Sequence, residues 1–315
     1  MRRPASSAIL FTAIGLALYA VVYLASERLV VRTGHANPFF KMATSPEETV
    51  DWLVLGASHA MPLDFDDFEE RMEEETGLVI LNLAAPGAGP LYNRFVLEEF
   101  LRARRARNLL YVVDSFAFYS RTWNEDRFSD AKLLRRTPFQ PAVARRLWTY
   151  VLDEGVDARA VLDYLTGFSK VNNRERFRRD EWEGEAQFDR AYRPSAAATR
   201  KRVDYLYPDG TPPDVLARRL ETLSSLLDLA RGAGASVVVL KMPVPPQFLA
   251  ALPGEPAFDA ALSRLLAGRG VPYHDLAATM AEPRFYFDTD HLGRAGLTEL
   301  FGRDLGRILR SGRGR

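Results

Sequence analysis

Short apolar runs alternate with helix-patterned segments along most of this chain, and that alternation leaves few folds open. "TVDWLVLG" (49–56) reads as a strand, and "FDDFEERMEEETG" (65–77) as an amphipathic helix closed by Gly77. "LVILNLA" is a second strand, "GPLYNRFVLEEFLRARRA" a second helix and "NLLYVVDS" a third strand. The rhythm resumes late, with a long helix over "PPDVLARRLETLSSLLDLARGAGA", a fourth strand "SVVVLKM", a helix "PAFDAALSRLLAGRG", a short fifth strand "VPYHDL" and a closing helix "GRAGLTELFGRDLGRILRS". Parallel strands need crossover connections, and helices supply them while covering both faces of the sheet. The expected class is therefore α/β: a three-layer αβα sandwich around a central, mostly parallel five-stranded sheet.

Between Ser115 and about Pro213 the rhythm stops. A structureless loop of that length inside a compact domain is improbable, so residues 116–212 are read as a largely helical insertion or cap over the carboxyl edge of the sheet. It is rich in Arg, Trp and Tyr, as in "RERFRRDEWEGE" and "TRKRVDYLYPDG". Its arginines either form a solvated face or grip an anionic glycan or lipid headgroup.

The N-terminus has a different character. After "MRRP" the run "ASSAILFTAIGLALYAVVYLAS" carries no charge, and roughly twenty such residues cross a ~30 Å hydrocarbon core as a helix. Arg2 and Arg3 favour a cytoplasmic N-terminus, which places the rest outside the cytoplasm. The run is longer than the ~7–15 apolar residues of a cleaved signal, and its all-round apolarity at the extreme N-terminus argues against a buried helix of a soluble domain. The expected organisation is a transmembrane anchor over 1–30, a turn-rich stalk over 31–48, and the α/β domain over 49–315 with its insertion.

Composition narrows the chemistry. A formal net charge of +1 over 315 residues gives no electrostatic case for nucleic acid as a partner. There are no cysteines, so disulfides and thiolate metal sites are excluded. The four histidines, His35, His59, His274 and His291, are scattered; neither a metal centre nor a cofactor is expected. His274, on an apolar strand, reads as a packed core residue.

Ligands of an open parallel sheet bind outside the carboxyl ends of its strands. Ser58, in "VLGASHAM", follows the first strand, Gly87 the second, and Asp114 and Ser115 the third, while "YFDTDHLGRAG" follows the fifth with Asp288 and His291. A serine hydroxyl needs a base within hydrogen-bond reach to become a nucleophile. His59 is its neighbour, but neighbours in an extended chain point to opposite faces, unless a tight turn brings both to one pocket. His291 can act as that base, with Asp288 three positions earlier fixing its tautomer. Backbone N–H groups at Ser58 and Gly87 can face a developing oxyanion. Asp288 and Asp290 have the alternative of merely capping the last helix.

A serine after the first strand, Asn82 to Gly87 as "N-x-x-x-x-G" after the second, and "D-x-x-H" before a last helix resemble the SGNH, or GDSL-like, hydrolase superfamily, over roughly Thr49–Ser115 and Pro213–Ser311. The resemblance implies Ser58 as nucleophile, His291 as base, Asp288 as its partner and Gly87 as an oxyanion donor. The family's third block supplies an asparagine, where this chain reads "VVDSFAF". Asp114 there would oppose a developing negative charge unless protonated or turned away, leaving the Ser115 hydroxyl as substitute donor. His59 packs or lines the pocket.

An N-terminal anchor on an extracytoplasmic domain of this kind resembles proteins that work beside membrane-bound O-acyltransferases in lipoteichoic-acid D-alanylation and alginate acetylation. Two functions follow as expectations. One is a serine acyl-ester enzyme, an O-acyltransferase or esterase, acting on a cell-surface polysaccharide or lipid-linked glycan. The other is a non-catalytic binding or assembly subunit partnering a membrane-bound O-acyltransferase, which the missing asparagine favours.

Overall fold

The computed structural model describes residues 4–312 apart from His35 and Asp180. Arg2 and Arg3, which carry the orientation reading, and His35 therefore lie outside the described residues. The chain forms two compact units: residues 1–44 with 128–180, and residues 45–127 with 181–315. The first opens with helices α1 (Pro4–Thr33) and α2 (Pro38–Thr44). Helix α1 is long and apolar enough to cross a membrane. The span read as a stalk holds α2, whose Phe39, Phe40 and Met42 are buried; its apolar side chains have a core to join.

The second unit begins with β1 (Thr49–Leu55), α3 (Phe68–Thr76), β2 (Ile80–Asn82), α4 (Pro90–Ala103) and β3 (Arg105–Val112). The chain then supplies α5 (Ala131–Leu134), α6 (Pro141–Asp153), α7 (Ala158–Thr166) and α8 (Phe168–Val171) to the first unit. The second unit is completed by α9 (Ala196–Leu206), α10 (Pro213–Gly232), β4 (Ser236–Lys241), α11 (Pro246–Leu249), α12 (Glu255–Gly268), β5 (Tyr273–Asp275), α13 (Arg294–Leu300) and α14 (Gly306–Ser311), with a π turn at Phe301–Leu305 between the last two. The insertion is thus divided. Residues 128–180 belong with the N-terminal helix, and the remainder with the sheet.

The five strands are parallel in the order β2-β1-β3-β4-β5, as the alternating pattern predicts. Even-numbered residues of the central strands, Trp52, Val54, Leu110, Val112 and Leu240, share one apolar cluster with Phe68, Met72, Leu297, Leu305 and Leu309 from α3, α13 and the C-terminal segment. Odd-numbered neighbours such as Leu53, Leu109 and Val239 are equally buried and must point to the other face, where α4 and α10 pack together. Burial on both faces is why these strands read as unbroken apolar runs. The Trp52 indole N–H donates to the Leu309 carbonyl at 3.1 Å, tying the closing helix to the central strand. His274 sits half-buried on edge strand β5 and is not a core residue.

One buried ion pair ties the chain just after β3 to α10. Arg219 and Glu125 are nearly inaccessible, and Arg219 Nη2 donates to both carboxylate oxygens at 2.6 Å. Removing one partner strands the other charge, at a cost of about 3–5 kcal/mol, whereas replacing both with apolar residues is often neutral. We expect Glu125→Ala to lower the thermal unfolding temperature sharply and the double change Arg219→Met with Glu125→Leu to restore most of it.

Candidate functional site

The chain leaves β1 towards β2 on one side and continues from β3 to β4 and β5 on the other, so the crevice between β1 and β3 is the topological switch point. Ser58 and His59 stand at the end of β1, and Asp114 at the end of β3. The backbone turns at once after Gly56. A Cβ there would come within 2.8 Å of the Val112 carbonyl oxygen and 3.2 Å of the Ala60 Cβ. Residues 58–60 form a turn in which Ala60 N–H donates to the Ala57 carbonyl and Met61 N–H to that of Ser58. Asn82, at the end of β2, clips this turn by donating to the Ala60 carbonyl at 2.8 Å. Because the chain is no longer extended here, Ser58 and His59 both reach the crevice; opposite-face geometry does not apply.

His291 comes from the far end of the sequence. Its hairpin is closed by a bridge between Tyr286 and Leu292 and by Phe287 N–H donating to the His291 carbonyl. Asp288 Oδ1 accepts from the backbone N–H groups of Asp290 and His291, and its carboxylate meets His291 Nδ1 at 2.9 Å. An ionised carboxylate only accepts, so Nδ1 carries the proton and Nε2 is left as an acceptor. The Ser58 hydroxyl donates to that Nε2 at 2.9 Å. Phe287 stacks on the His291 ring at 5.6 Å and Trp182 meets it edge-on at 4.9 Å. Burial would raise the Asp288 carboxyl, but His291 holds it below its ordinary value.

Beside this chain lies a second set of charges. His59 Nδ1 meets Asp114 Oδ1 at 2.5 Å and Nε2 meets Asp290 Oδ2 at 3.3 Å. With a carboxylate at each nitrogen both must donate, and His59 is an imidazolium. Burial opposes that charge, yet Asp114 and then Asp290 outweigh it and push the ring up to about 10. Asp290 also accepts from Arg202 Nε at 3.0 and 2.9 Å. Burial alone would raise its carboxyl; His291, Arg202 and His59 hold it far below the ordinary carboxylate range. The rings of His59 and His291 are 4.8 Å apart.

Three of these placements revise the sequence reading. Asp114 is neutralised by His59 instead of standing bare before a developing anion. Asp290 is a buried member of the network, not a helix cap. Ser115 is drawn away: its hydroxyl contacts Glu255 Oε2 at 2.5 Å and Tyr207 at 2.7 Å, in a separate cluster where Lys241 pairs with Glu255 and Asp259. It is therefore no substitute for the missing asparagine. Sequence reasoning also missed Arg202 and Trp182. The arginine-rich insertion was a signal, but one of its arginines grips an internal carboxylate instead of a ligand.

Gly87 has φ +62°, and a Cβ on it would fall 2.6 Å from the Trp123 ring, so both backbone and space require glycine. Among the described residues neither its N–H nor that of Ser58 has a hydrogen-bond acceptor. These are two free donors at the ends of β2 and β1. His59, Asp290 and His291 bring nitrogen and oxygen atoms within 4.8 Å of one another, but an imidazolium at His59 has no lone pair to offer a metal ion.

No protein-family model matches the sequence, and no curated protein matches it. Among solved structures, one described as a "putative acylhydrolase" from Bacteroides fragilis NCTC 9343 aligns over 86% of this chain and 95% of that one, at 9% identity and a TM-score of 0.44. At that similarity the neighbour carries no argument about function, and the chemistry has to be read from the side chains.

A base held protonated in the fold stabilises it fully below its unfolded value, ~6.5 for histidine, and the stabilisation is lost as pH rises through the folded value. For His59 the loss falls between about 6.5 and about 10. Thermal melts across that window should decline more steeply for wild type than for His59→Gln; parallel declines would contradict a charged His59.

Proposed function

We propose that the protein is a membrane-anchored serine acyl-ester enzyme, an O-acyltransferase or esterase of the SGNH-like type, working on an acylated cell-surface polysaccharide or lipid-linked glycan outside the cytoplasm. The observation that supports this most strongly is the chain Ser58–His291–Asp288, with hydrogen bonds of 2.9 Å at both nitrogens of His291. In this reading His291 takes the Ser58 proton as the serine oxygen attacks the ester carbonyl. Asp288 stabilises the imidazolium that results. The N–H groups of Ser58 and Gly87 receive the oxyanion. Collapse releases the alcohol, protonated by His291, and leaves an acyl-serine; a sugar hydroxyl or water, deprotonated by His291, then takes the acyl group and the Ser58 oxygen regains its proton from His291.

The charge count fits this role. Asp114 is balanced by His59 and Asp290 by Arg202. Asp288 is the remaining carboxylate, and its counter-charge arrives when His291 is protonated. Paired with the imidazolium of His59, Asp114 carries no net charge where the family carries a neutral asparagine.

A second reading has one observation in its favour. With Ser115 committed to Glu255 and Asp114 to His59, no side-chain amide among the described residues replaces the third oxyanion donor, whose loss can cost ~10²–10³ in rate. A non-catalytic assembly subunit beside a membrane-bound O-acyltransferase needs no such donor.

Labelling with a serine-directed fluorophosphonate separates the two. We expect wild type to be labelled and Ser58→Ala and His291→Ala to be silent. Their double variant should lose no more acyl transfer than either alone, because residues acting as a unit fail together. Asp114→Asn should lower the rate, by about tenfold or more on the scale of a lost electrostatic contact, since it removes one of the two carboxylates that hold His59 without supplying a placed amide. Wild type refractory to the reagent would favour the assembly subunit.

A further inference from the structure

The unit that contains α1 also carries a set of exposed apolar side chains, and its internal contacts fix how far along α1 they lie. The Tyr19 hydroxyl donates to the Thr166 carbonyl at 3.1 Å, at the end of α7. Gly167 lies so close to the Tyr23 ring that a Cβ would fall 2.2 Å from it. Lys170, on α8, pairs with Glu27, the first charged residue of α1 after Arg3. The segment 166–170 therefore runs alongside α1 from Tyr19 to Glu27.

Those contacts give a height. A helix rises about 1.5 Å per residue, so Tyr19 lies about 12 Å below Glu27 along α1. The uncharged stretch from Ala5 to Ser26 is about as long as the ~30 Å hydrocarbon core. If α1 spans a bilayer with Glu27 at its boundary, Thr166 meets α1 about 12 Å below that boundary, in the deeper part of the leaflet from which residue 27 emerges.

The neighbouring side chains suit that position. Leu162, Leu165 and Phe168 are 61%, 49% and 62% exposed. Phe139, 38% exposed, meets the Tyr23 ring edge-on at 6.5 Å and stacks at 5.6 Å on Tyr164, which is buried. The nearby carboxylate of Asp163 is half-buried and accepts from the Ser169 N–H at 2.8 Å. Lipid is the occupant that the contacts with α1 select, because these residues lie beside a helix whose apolar run from residue 6 to 22 is exposed.

We propose that the end of α7 and the start of α8 dip into the leaflet from which residue 27 emerges, with Leu162, Leu165 and Phe168 in contact with acyl chains. The protein thus holds the membrane by a collar as well as by a helix. The proposal rests on α1 spanning the bilayer and is independent of the chemistry assigned to Ser58.

Because the chain has no cysteine, single labels can be placed in the full-length protein. Leu162→Cys, Leu165→Cys, Phe168→Cys, Ile14→Cys and Glu299→Cys would each carry an environment-sensitive fluorophore in phosphatidylcholine–phosphatidylglycerol vesicles. Near-ultraviolet circular dichroism matching the cysteine-free protein establishes that each variant is folded, and three collar positions provide replicates should one misfold. We expect labels at 162, 165 and 168 to be quenched severalfold more by lipids spin-labelled along the acyl chain than by aqueous iodide. The label at 14 should respond to deep spin labels and that at 299 to iodide alone. Quenching at 14 by deep labels with iodide dominant at 162, 165 and 168 overturns the collar while leaving the anchor. Shielding of those three from both quenchers overturns it in favour of a protein contact. No quenching at 14 by lipid removes the anchor and the collar with it.

Discussion

A buried histidine clamped between two carboxylates organises this site. His59 meets Asp114 at the end of β3 on one side and Asp290 of the C-terminal hairpin on the other, so one ring joins pieces of chain more than 170 residues apart. Isolated charges in a low-dielectric interior are expensive. Here each is answered: Asp114 by His59, Asp290 by Arg202 as well, and Asp288 by whatever charge His291 acquires. The burial that makes the arrangement costly also makes it specific, since removing His59 leaves the buried Asp114 carboxylate without the charge that answers it. It constrains the second histidine too, because the hairpin carrying His291 is the hairpin that carries Asp290.

The fold supplies the meeting place. In a parallel sheet all carboxyl ends lie on one edge, and the crevice opens where the chain reverses its direction of winding. Ser58 comes from the strand at that reversal, Asp114 from its neighbour and Gly87 from the strand on the other side. The long reach to His291 is covered by β4, α12 and β5, which complete the sheet before the hairpin begins. Local chemistry then sets the details. Asp288 can serve both the backbone turn and the imidazole because three residues separate it from His291.

Much of this was legible in the sequence, and for an identifiable reason. Strand and helix periodicities are local, so the five parallel strands, the helix stop at Gly77 and the convergence of Ser58, Gly87 and His291 on one sheet edge follow from short windows. What was not legible depends on contacts between distant segments. Nothing near Asp114 announces that His59 will neutralise it. Nothing in "TRKRVDYL" says that Arg202 will turn inward to Asp290 while Arg200 stays exposed. The opposite-face argument for His59 failed because it assumed extended backbone, whereas the chain turns immediately after Gly56. Ser115 went astray for a similar reason: the 3-10 turn that starts there aims its hydroxyl at Glu255 and Tyr207, which no local pattern foretells.

The charge on His59 is the point on which the rest turns, and nitrogen-15 NMR of histidine-labelled protein reads it directly. Only four histidines contribute signals, and His59→Gln assigns the one in question. The account predicts that both nitrogens of His59 remain protonated at about pH 8 and that the ring titrates only towards about 10, while His291 shows a protonated Nδ1 and a bare Nε2. A His59 with one unprotonated nitrogen at that pH, titrating near the ordinary histidine value of ~6.5, would contradict it.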